Sequence, residues 1–554
     1  MIKLIRPNVA QICYIIFYRL IRIYKLLNFY KPSQLSLINV HLFPPPTSIK
    51  NLYNITRDSW EFNQFIINQI LFDIDKVTID NKNKLYPENY WDFSYWSNYE
   101  GFNQRSKKEV KKSKLKTFLN NPSNAFQSKI DEMRLKISSY GNKIPILAMN
   151  YNELFFLRSG FFWPKGRFCK LPQSLPAGDI QFNPSLADRD NFAEKTKEYF
   201  TEGCINLFNK VKVAEYDKKY LTKISKLFFD LYPISMFEQS VEYSNWGVSQ
   251  LKKYKIKHYF TGDTGSSDLG IYYNYAATKL GFRIWSQQHS AWGGYIANVS
   301  NIAELSIAGC DYYITSGWSH EEPHLPVWNI KSKPMPSPHY SELIKNKVST
   351  STTKPVLVLI GQPYDFPILP AGSHEVDTLS YWAQSIEEII FFLTQKDIDI
   401  VLKNYAPRVE KLISDHGILD RWVKAGSNKV KFLDVNKKGS ANLFFKDSSA
   451  TIWDMPSGGF IESISMGLPT FSFWNKKFIK CQPKAKKEIE QLLKIGILNK
   501  DGEAMAKNVE SCLNDNQWFN QPSRKKILKT FLSHYINTNN NWNVEWKSLI
   551  NNLR

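Results

Sequence analysis

Hydrophobic and polar positions follow two different periods along this chain, and together they predict a series of helices and strands. Over residues 9–29 the apolar positions Ile12, Ile16, Leu20, Ile23 and Leu27 share one helical face, which predicts an amphipathic N-terminal segment over residues 1–30. From about Lys143 onwards, short β-rich runs alternate with helical patterns. This order is typical of parallel sheets, so the predicted fold class is α/β.

The first half of the chain contains three well-marked strands, which are predicted at 256–260, 282–286 and 311–315. Ser267 is the predicted N-cap of the helix after the first of these strands, and Gly281 is the residue that ends that helix. Polar residues follow each strand. Because the carboxyl ends of parallel strands share one edge of a sheet, we expect these polar groups to line a common wall.

The second half repeats this organisation after a stretch rich in proline, serine and threonine. Its predicted strands are 355–360, 397–402, 429–433, 450–453 and 468–473, and its predicted helices are 376–395, 438–445 and one that opens at Gly458 and ends at Gly467. The domain boundaries predicted from this are an N-terminal Rossmann-like domain at 31–340, a linker at 341–354, a second Rossmann-like domain at 355–520 and C-terminal helices at 521–554. Two doubly wound halves are expected to face a cleft.

Composition and charge narrow the possible classes. A chain of 554 residues is too long for a single hydrophobic core, so two or more domains are expected. Its content of 43% hydrophobic and 15% aromatic residues excludes a disordered chain. The 72 basic and 51 acidic residues give 72 − 51 = +21, which requires an anionic partner such as nucleic acid, anionic lipid or a sugar phosphate. The basic run 107–116 is either a nucleic-acid contact or a solvated loop. We expect the loop, because no nucleic-acid module accompanies it.

Cysteine spacing and the N-terminus predict the compartment. The six cysteines include no CxxC pair, which disfavours a zinc site or a disulfide framework and indicates a reducing compartment. The apolar start is interrupted by Arg19, Arg22 and Lys25, so it is too short to span a bilayer. We therefore expect a cytoplasmic protein. Its N-terminal segment either lies on an anionic membrane surface or docks on its own domain, and the sequence fits both alternatives.

The helix that opens at Ser457 carries the strongest candidate for binding a donor. Gly458 and Gly459 would let a phosphate approach the N–H groups at the positive end of that helix, and Glu462 would accept hydrogen bonds from ribose hydroxyls. Alternatively, the two glycines serve a tight strand-to-helix turn and Glu462 is an ordinary acid of the first turn. Further donor-binding candidates follow other strands, namely Gln288, Gly361, Gln362, Lys403 and Arg408. Lys403 and Arg408 either face the phosphates or belong to a solvated basic loop.

Candidate catalytic groups lie at the strand ends of the first half. Asp263 sits in a Gly-x-x-Gly turn, where a carboxylate would deprotonate an acceptor hydroxyl or attack a sugar carbon, or would simply cap the next helix. His289 would hydrogen-bond a carboxylate or phosphate of the donor, or is a structural histidine. Glu304, which lies between the second and third of these strands, is the alternative to Asp263 as the catalytic carboxylate. The chain has no P-loop and no GxGxxG fingerprint, which disfavours P-loop hydrolases and dinucleotide oxidoreductases, and it has no HExxH or GxSxG motif.

Two groups of motifs carry a family resemblance. They are Gln288 to Tyr295 with Glu304 and residues 316–318, and residues 460–463 with 467–474. Together they resemble GT-B glycosyltransferases of lipopolysaccharide gene clusters, similar to capsule β-Kdo transferases and nonulosonic acid transferases. Residues 462–469 match the E-x-x-x-x-G-x-P stretch of many GT-B enzymes. The chain departs from the CMP-sugar relatives in two places, with Lys403 to Pro407 where they have His-Pro, and with Ser290 and Ala291 where they have glycines.

The resemblance implies a GT-B glycosyltransferase that moves a sugar from a nucleotide donor to a bacterial surface glycan, lipopolysaccharide O-antigen or capsule. The donor it implies is a CMP-activated ulosonic or nonulosonic acid, and UDP-, GDP- and dTDP-sugars are the alternatives. A non-catalytic glycan-binding module and a nucleic-acid protein are the rival classes. We expect no cofactor and no metal. The expected partners are the nucleotide sugar, a glycan or lipid-linked acceptor and an anionic membrane surface at the inner face of the inner membrane, and no nucleic acid.

Overall fold

The structure is a computed structural model that describes residues 2–30, 35–38, 46, 52, 60–71, 77–80, 147–150, 168–170, 185–212, 221, 223–252, 257–262, 267–288, 291–296, 309–319, 331–346, 348, 354–360, 376–404, 413–414, 417–433, 441–474, 476, 479 and 481–553. These residues fall into two compact units. The first lies within Met1–Asn150, Lys165–Tyr259 and Asp263–Arg283. The second lies within Tyr151–Pro164, Phe260–Gly262 and Ile284–Arg554.

The described elements up to Gln287 are α1 (Ile2–Tyr30), β1 (Leu35–Ile38), α2 (Trp60–Leu71), β2 (Val77–Asp80), β3 (Leu147–Asn150), β4 (Phe168–Lys170), α3 (Leu186–Val211), α4 (Ile224–Leu231), α5 (Ser240–Lys252), β5 (His258–Thr261), α6 (Asp268–Lys279) and β6 (Arg283–Gln287). Elements β5 and β6 coincide within two residues with strands predicted from the sequence. Two further details of this region are confirmed. The side chain of Ser267 accepts a hydrogen bond from Gly270 N, and Gly281 has a φ of +74° after the helix.

The described elements from Tyr312 onwards are β7 (Tyr312–Thr315), β8 (Lys331–Pro334), α7 (Pro338–Leu343), β9 (Val356–Ile360), α8 (Val376–Gln395), β10 (Ile400–Asn404), α9 (Ile418–Gly426), β11 (Val430–Phe432), β12 (Ala450–Trp453), α10 (Gly458–Ser465), β13 (Thr470–Phe473), α11 (Lys486–Lys494), β14 (Leu498–Asn499), α12 (Gly502–Asn514), α13 (Pro522–Tyr535) and α14 (Trp542–Asn551). Short 3-10 helices lie at Ala291–Gly294 and Ala441–Asp447. The latter replaces most of the α-helix predicted over residues 438–445.

Helix α1 packs into the core of the first unit. Ile12, Ile16 and Leu20 are fully buried in one cluster with residues of α2 and α4. Arg19, which interrupts this stripe, turns back along the helix, and its Nη1 donates to Ile15 O at 2.8 Å. The docking alternative for the N-terminal segment is therefore the one that the structure shows. The face that resembles a lipid-binding stripe is occupied by protein.

Two six-stranded sheets form the framework. One has the strand order β4-β3-β5-β6-β7-β8, with parallel pairs β3–β4, β6–β7 and β7–β8. Counted along the chain this order is 2-1-3-4-5-6, which extends the flavodoxin-like order by one strand. A separate pair, β1 with β2, is also parallel. Within the described residues no helix is long and apolar enough to cross a membrane.

The other six-stranded sheet is parallel throughout and has the order β11-β10-β9-β12-β13-β14. Counted along the chain this is 3-2-1-4-5-6, the order of dinucleotide-binding Rossmann sheets. Every residue of β9, β12 and β13 is buried, as expected when helices cover both faces of a sheet. The predicted α/β class, with two Rossmann-like sheets, is confirmed. The predicted domain boundaries stay predictions.

The C-terminal segment, which consists of the residues after α13, is hydrogen-bonded to the loops that follow β7 and β8. Asn537 N donates to Ser316 O at 2.7 Å, and Trp546 Nε1 donates to Pro336 O at 2.8 Å. Gly317 has a φ of +123°, and a Cβ there would lie 2.8 Å from Asn537 N. A side chain at position 317 would therefore push this segment away.

Candidate functional site

The switch point of the second sheet lies between β9 and β12, where the chain turns from building one side of the sheet to building the other. Ligands of open α/β sheets bind outside the carboxyl ends of the strands at such a point. β9 ends at Ile360, next to the predicted donor residues Gly361 and Gln362. β12 ends at Trp453 and leads directly into the start of α10. Asp454 N donates to Leu359 O at 3.3 Å, which joins the two strand ends.

The start of α10 is the place where the sequence predicts an anion site, and its local geometry is compatible with one. Ser457, the N-cap residue, has extended backbone, and its side chain makes no capping hydrogen bond. The first N–H groups of the helix are therefore not satisfied by that hydroxyl, and the helix dipole places positive potential there. Gly458 and Gly459 are only partly exposed. A phosphate oxygen would meet N–H donors at this helix end.

Gly459 has a role in packing as well as the predicted role in phosphate approach. The sequence pattern could not distinguish the two. A Cβ at this position would lie 1.9 Å from Cη2 of Trp453, so the indole ring occupies the space of a side chain. The ring is held there because its Nε1 donates to Ser463 Oγ at 3.0 Å. Packing of the strand-to-helix turn therefore requires glycine at 459, as the structural alternative for this motif proposed.

Lys403 and Asn404 close the carboxyl end of β10, on the opposite side of β9 from β12. Lys403 Nζ lies 5.6 Å from the ring centroid of Phe444 and 3.4 Å from Asn404 O. Burial lowers the pKa of this ammonium. No acidic side chain among the described residues pairs with it, so its charge is available to an anion. Asn404 is buried, and its Oδ1 has no hydrogen-bond partner among the described residues.

Glu462 lies one turn into α10 and pairs with a histidine that sequence reasoning missed. His339 Nε2 and Glu462 Oε1 are 2.9 Å apart. A carboxylate oxygen only accepts, so the ring nitrogen donates. His339 belongs to α7, which lies in the proline-rich stretch that the sequence pattern predicts to be the end of a domain and a linker. No motif or spacing marked this residue, because its partner is 123 residues away.

Gln288 supports the loops rather than presenting its carbonyl to a ligand. Its Oε1 accepts from Ser316 N and from Trp318 Nε1, both at 2.9 Å, and the residue is buried. A Cβ on Gly293 would lie 3.4 Å from Gln288 Nε2, and one on Gly294 would lie 2.5 Å from Trp318 Cδ1. The glycines of this motif therefore make room for Gln288 and Trp318. A donor contact of Gln288 stays a prediction.

Tyr295 connects the glycine-containing loop to the start of α10. It is fully buried, and its hydroxyl donates to Pro456 O at 2.7 Å, one residue before Ser457. Burial raises the pKa of Tyr295 well above its usual range, which keeps the hydroxyl protonated as a donor. Phe531 and Tyr535 of α13 pack edge-on against its ring, with centroids 5.2 and 5.4 Å away. The hydrogen bond and this aromatic packing fix the start of α10 relative to residues 291–296.

The structure thus brings Ser457, Gly458, Gly459 and Glu462 together on one helix, with Lys403 two strands away at the same edge. Strands are about 4.8 Å apart, so β10 and β12 lie roughly 10 Å from each other. The remaining candidates lie outside the described residues and stay predictions; these are Asp263, His289, Glu304, Gly361, Gln362 and Arg408.

Metal-ligating side chains do not cluster in the described part of the chain. No group of three or more His, Cys, Asp or Glu side chains there is arranged to hold a metal ion. Lys403 and the positive end of α10 both lie at this edge of the sheet. Both can meet negative charge directly.

Fold and site together define an α/β protein in which a Rossmann-ordered sheet presents a helix N-terminus at its switch point. The chain belongs to the LIC12162 family transferases, whose family model matches residues 3–550. The prediction that this protein is a transferase is therefore confirmed. A comparison with curated proteins finds no match.

Several solved structures are similar to this chain at low identity. Sucrose-phosphate synthase from Thermosynechococcus elongatus is 13% identical, with a TM-score of 0.37, over 58% of this chain and 80% of that chain. UDP-GlcNAc 2-epimerase from Methanocaldococcus jannaschii is 12% identical, with a TM-score of 0.38, over 70% and 99%. O-GlcNAc transferase from Thermobaculum terrenum is 10% identical, with a TM-score of 0.35, over 74% and 68%.

Proposed function

We propose that this transferase is a glycosyltransferase that binds a nucleotide sugar at the switch point of the second sheet. The observation that carries the proposal is the uncapped start of α10 at that point, beside the end of β9. The phosphate of the donor would lie against the N–H groups of residues 458–460, and Lys403 would face it from β10. Glu462 would accept hydrogen bonds from the ribose hydroxyls.

The leaving nucleotide needs its negative charge stabilised as the glycosidic bond breaks. The dipole of α10 and the Lys403 ammonium supply this charge from fixed positions, so we propose transfer without a metal ion. Lys403 is suited to the role, because a partly desolvated cation with no acidic partner among the described residues gains most when an anion arrives.

For the donor we propose a CMP-activated ulosonic or nonulosonic acid, and for the acceptor a bacterial surface glycan. Support comes from the sequence resemblance to capsule β-Kdo and nonulosonic acid transferases. Asp263 is the proposed catalytic carboxylate, acting as base if the anomeric centre inverts and as nucleophile if it is retained. His289 would hydrogen-bond the donor, and Glu304 is the rival carboxylate.

Calorimetric titration with CMP, UDP, GDP and dTDP tests the donor site. We expect one of these nucleotides to bind, and Glu462→Ala to weaken it about tenfold or more, since a hydrogen bond to a charged group contributes about 1.5–3 kcal/mol. Lys345→Ala is a matched control, because it removes an exposed ion pair with Glu342 near the end of α7. Unchanged affinity in Glu462→Ala would place the nucleotide elsewhere. Competition by duplex DNA would support a nucleic-acid protein.

A turnover assay with product analysis separates an enzyme from a glycan-binding module. Asp263→Asn keeps the side-chain shape and removes the charge, so it should abolish transfer while donor binding survives. A dead Glu304→Gln alongside an active Asp263→Asn would assign the role to Glu304. Nucleotide affinity with no transfer from any donor would favour the non-catalytic alternative.

We also propose that the enzyme works at an anionic membrane surface, where lipid-linked acceptors are found. The stripe of α1 is buried, so the contact would use the exposed C-terminal end of that helix. Phe29 and Tyr30 are 79% and 69% exposed there, with ring centroids 4.9 Å apart. Aromatic side chains are favoured at membrane interfaces, and the net charge of +21 attracts anionic lipid.

A further inference from the structure

The pair formed by His339 and Glu462 joins two helices that are distant in sequence and adjacent in the second unit. Their side chains are 36% and 22% exposed, so a ligand can reach both. Glu462 lies on α10, one turn after the proposed phosphate site at the helix start, and His339 is the second residue of α7. A role for this pair in ligand binding rests on the proposed function, in which Glu462 accepts hydrogen bonds from the donor.

Helix α7 holds the histidine at a fixed place. Ser337 caps the helix, its hydroxyl accepting from Tyr340 N at 3.4 Å, and Ser337 N itself donates to Asn537 O at 2.8 Å. Ser341 Oγ accepts from Asn539 N at 3.1 Å. The C-terminal segment therefore anchors α7 at two points, and the imidazole projects from a braced helix.

The hydrogen bond from His339 occupies one carboxylate oxygen of Glu462, and the other oxygen can still accept a hydrogen bond from a ligand. Oε1 accepts from His339 Nε2 at 2.9 Å, and among the described residues Oε2 accepts no hydrogen bond. A partly exposed glutamate can sample several rotamers, and a bond to one oxygen selects among them. The bond therefore orders the carboxylate and leaves Oε2 without a hydrogen-bond donor among the described residues.

We infer that His339 is a positioning residue for Glu462, which it orients so that Oε2 accepts a hydroxyl of the donor. The ligand class is a ribonucleotide, whose ribose diol offers hydroxyl donors to a carboxylate. The gain is preorganisation, since the carboxylate is already ordered when the ligand arrives. His339 acts through Glu462, so its removal should matter only while Glu462 is present.

A double-mutant cycle on nucleotide binding tests this role. The probe is whichever of CMP, UDP or GDP binds the wild-type protein most tightly, together with its 2′,3′-dideoxy analogue. His339→Ala should weaken the ribonucleotide roughly two- to tenfold, the range expected for one net hydrogen bond, and should leave the affinity of the dideoxy analogue unchanged. In the Glu462→Ala background the same change should have no further effect.

Two more variants separate positioning from structural damage. His339→Gln keeps an N–H donor near Nε2, so it should recover most of the ribonucleotide affinity. His534→Ala breaks another His–Glu pair, in which His534 Nδ1 is 3.0 Å from Glu488 Oε1, and should bind like wild type. Equal loss of ribo- and dideoxynucleotide affinity in His339→Ala, or additivity with Glu462→Ala, would overturn the inference.

Failure of the inference and failure of the proposed site give different results. If Glu462→Ala weakens ribonucleotide binding and His339→Ala does not, the site stands and His339 has no positioning role. If Glu462→Ala binds every nucleotide as wild type does, or if wild type binds none, the proposed site itself is overturned, and the role of His339 with it.

Discussion

Replacing Gly459 by alanine tests whether that glycine serves the packing of the strand-to-helix turn. The added Cβ would lie 1.9 Å from Cη2 of Trp453, with two further ring carbons at 2.4 and 2.7 Å. None of these atoms belongs to a flexible chain end, so the whole indole has to move. Overpacking of this kind costs about 1–3 kcal/mol.

Movement of the indole also affects a buried hydrogen bond. Trp453 Nε1 donates to Ser463 Oγ at 3.0 Å, and loss of such a bond costs about 0.5–1.5 kcal/mol. Together the two effects predict a loss of roughly 1.5–4.5 kcal/mol in the free energy of unfolding for Gly459→Ala. The variant should also lose nucleotide affinity, because the start of α10 shifts with the ring.

The assay is thermal unfolding followed by tryptophan fluorescence, with Gly203→Ala as the matched control. Gly203 lies inside α3, and no atom would approach its added Cβ within 4 Å, so alanine there should stabilise by about 0.5–1 kcal/mol. The two glycine-to-alanine changes should therefore move the midpoint in opposite directions. A Gly459→Ala midpoint at or above that of wild type would refute the packing argument and leave phosphate approach as the reason for the glycine.

Three further predictions address the site and the surface. Lys403→Met should weaken nucleotide binding, while its unfolding midpoint stays equal to that of wild type or rises. Burial lowers the pKa of this lysine, so its charged form destabilises the fold at any pH below that pKa. A lower midpoint would contradict this reasoning. Tyr295→Phe should lose about 1–3 kcal/mol of stability in denaturant titrations, because Pro456 O is left buried without its donor, and an unchanged midpoint would show that water replaces the hydroxyl. Phe29→Ser with Tyr30→Ser should reduce flotation with anionic vesicles and leave the fold intact; equal flotation would place the contact elsewhere on the basic surface.

Lys403 shows how the proposed site trades stability for binding. Its ammonium lies partly buried over Phe444, without an acidic partner among the described residues. A neutral side chain of similar length would fit the same space without the cost of desolvating a charge. A cation held this way is what an anionic donor would use.

The sequence by itself determined the regular elements of this protein. The helix from Val376 to Gln395 and the strand from Ala450 to Trp453 have the bounds that periodicity predicts. Gly467, with a φ of +85°, ends α10 as expected. These features depend on neighbours within a few residues, through period, capping and φ > 0, so they can be read locally.

Only the tertiary structure decided which face of α1 meets protein, why Gly459 is a glycine, and which residue holds Glu462. An apolar helical stripe looks the same whether lipid or a protein core covers it, and Ile16 is covered by the core. The indole that excludes a side chain at position 459, and the bond from His339 to Glu462, depend on how separate elements pack. Hydrophobic period constrains one element at a time, whereas these contacts exist only once the elements have met.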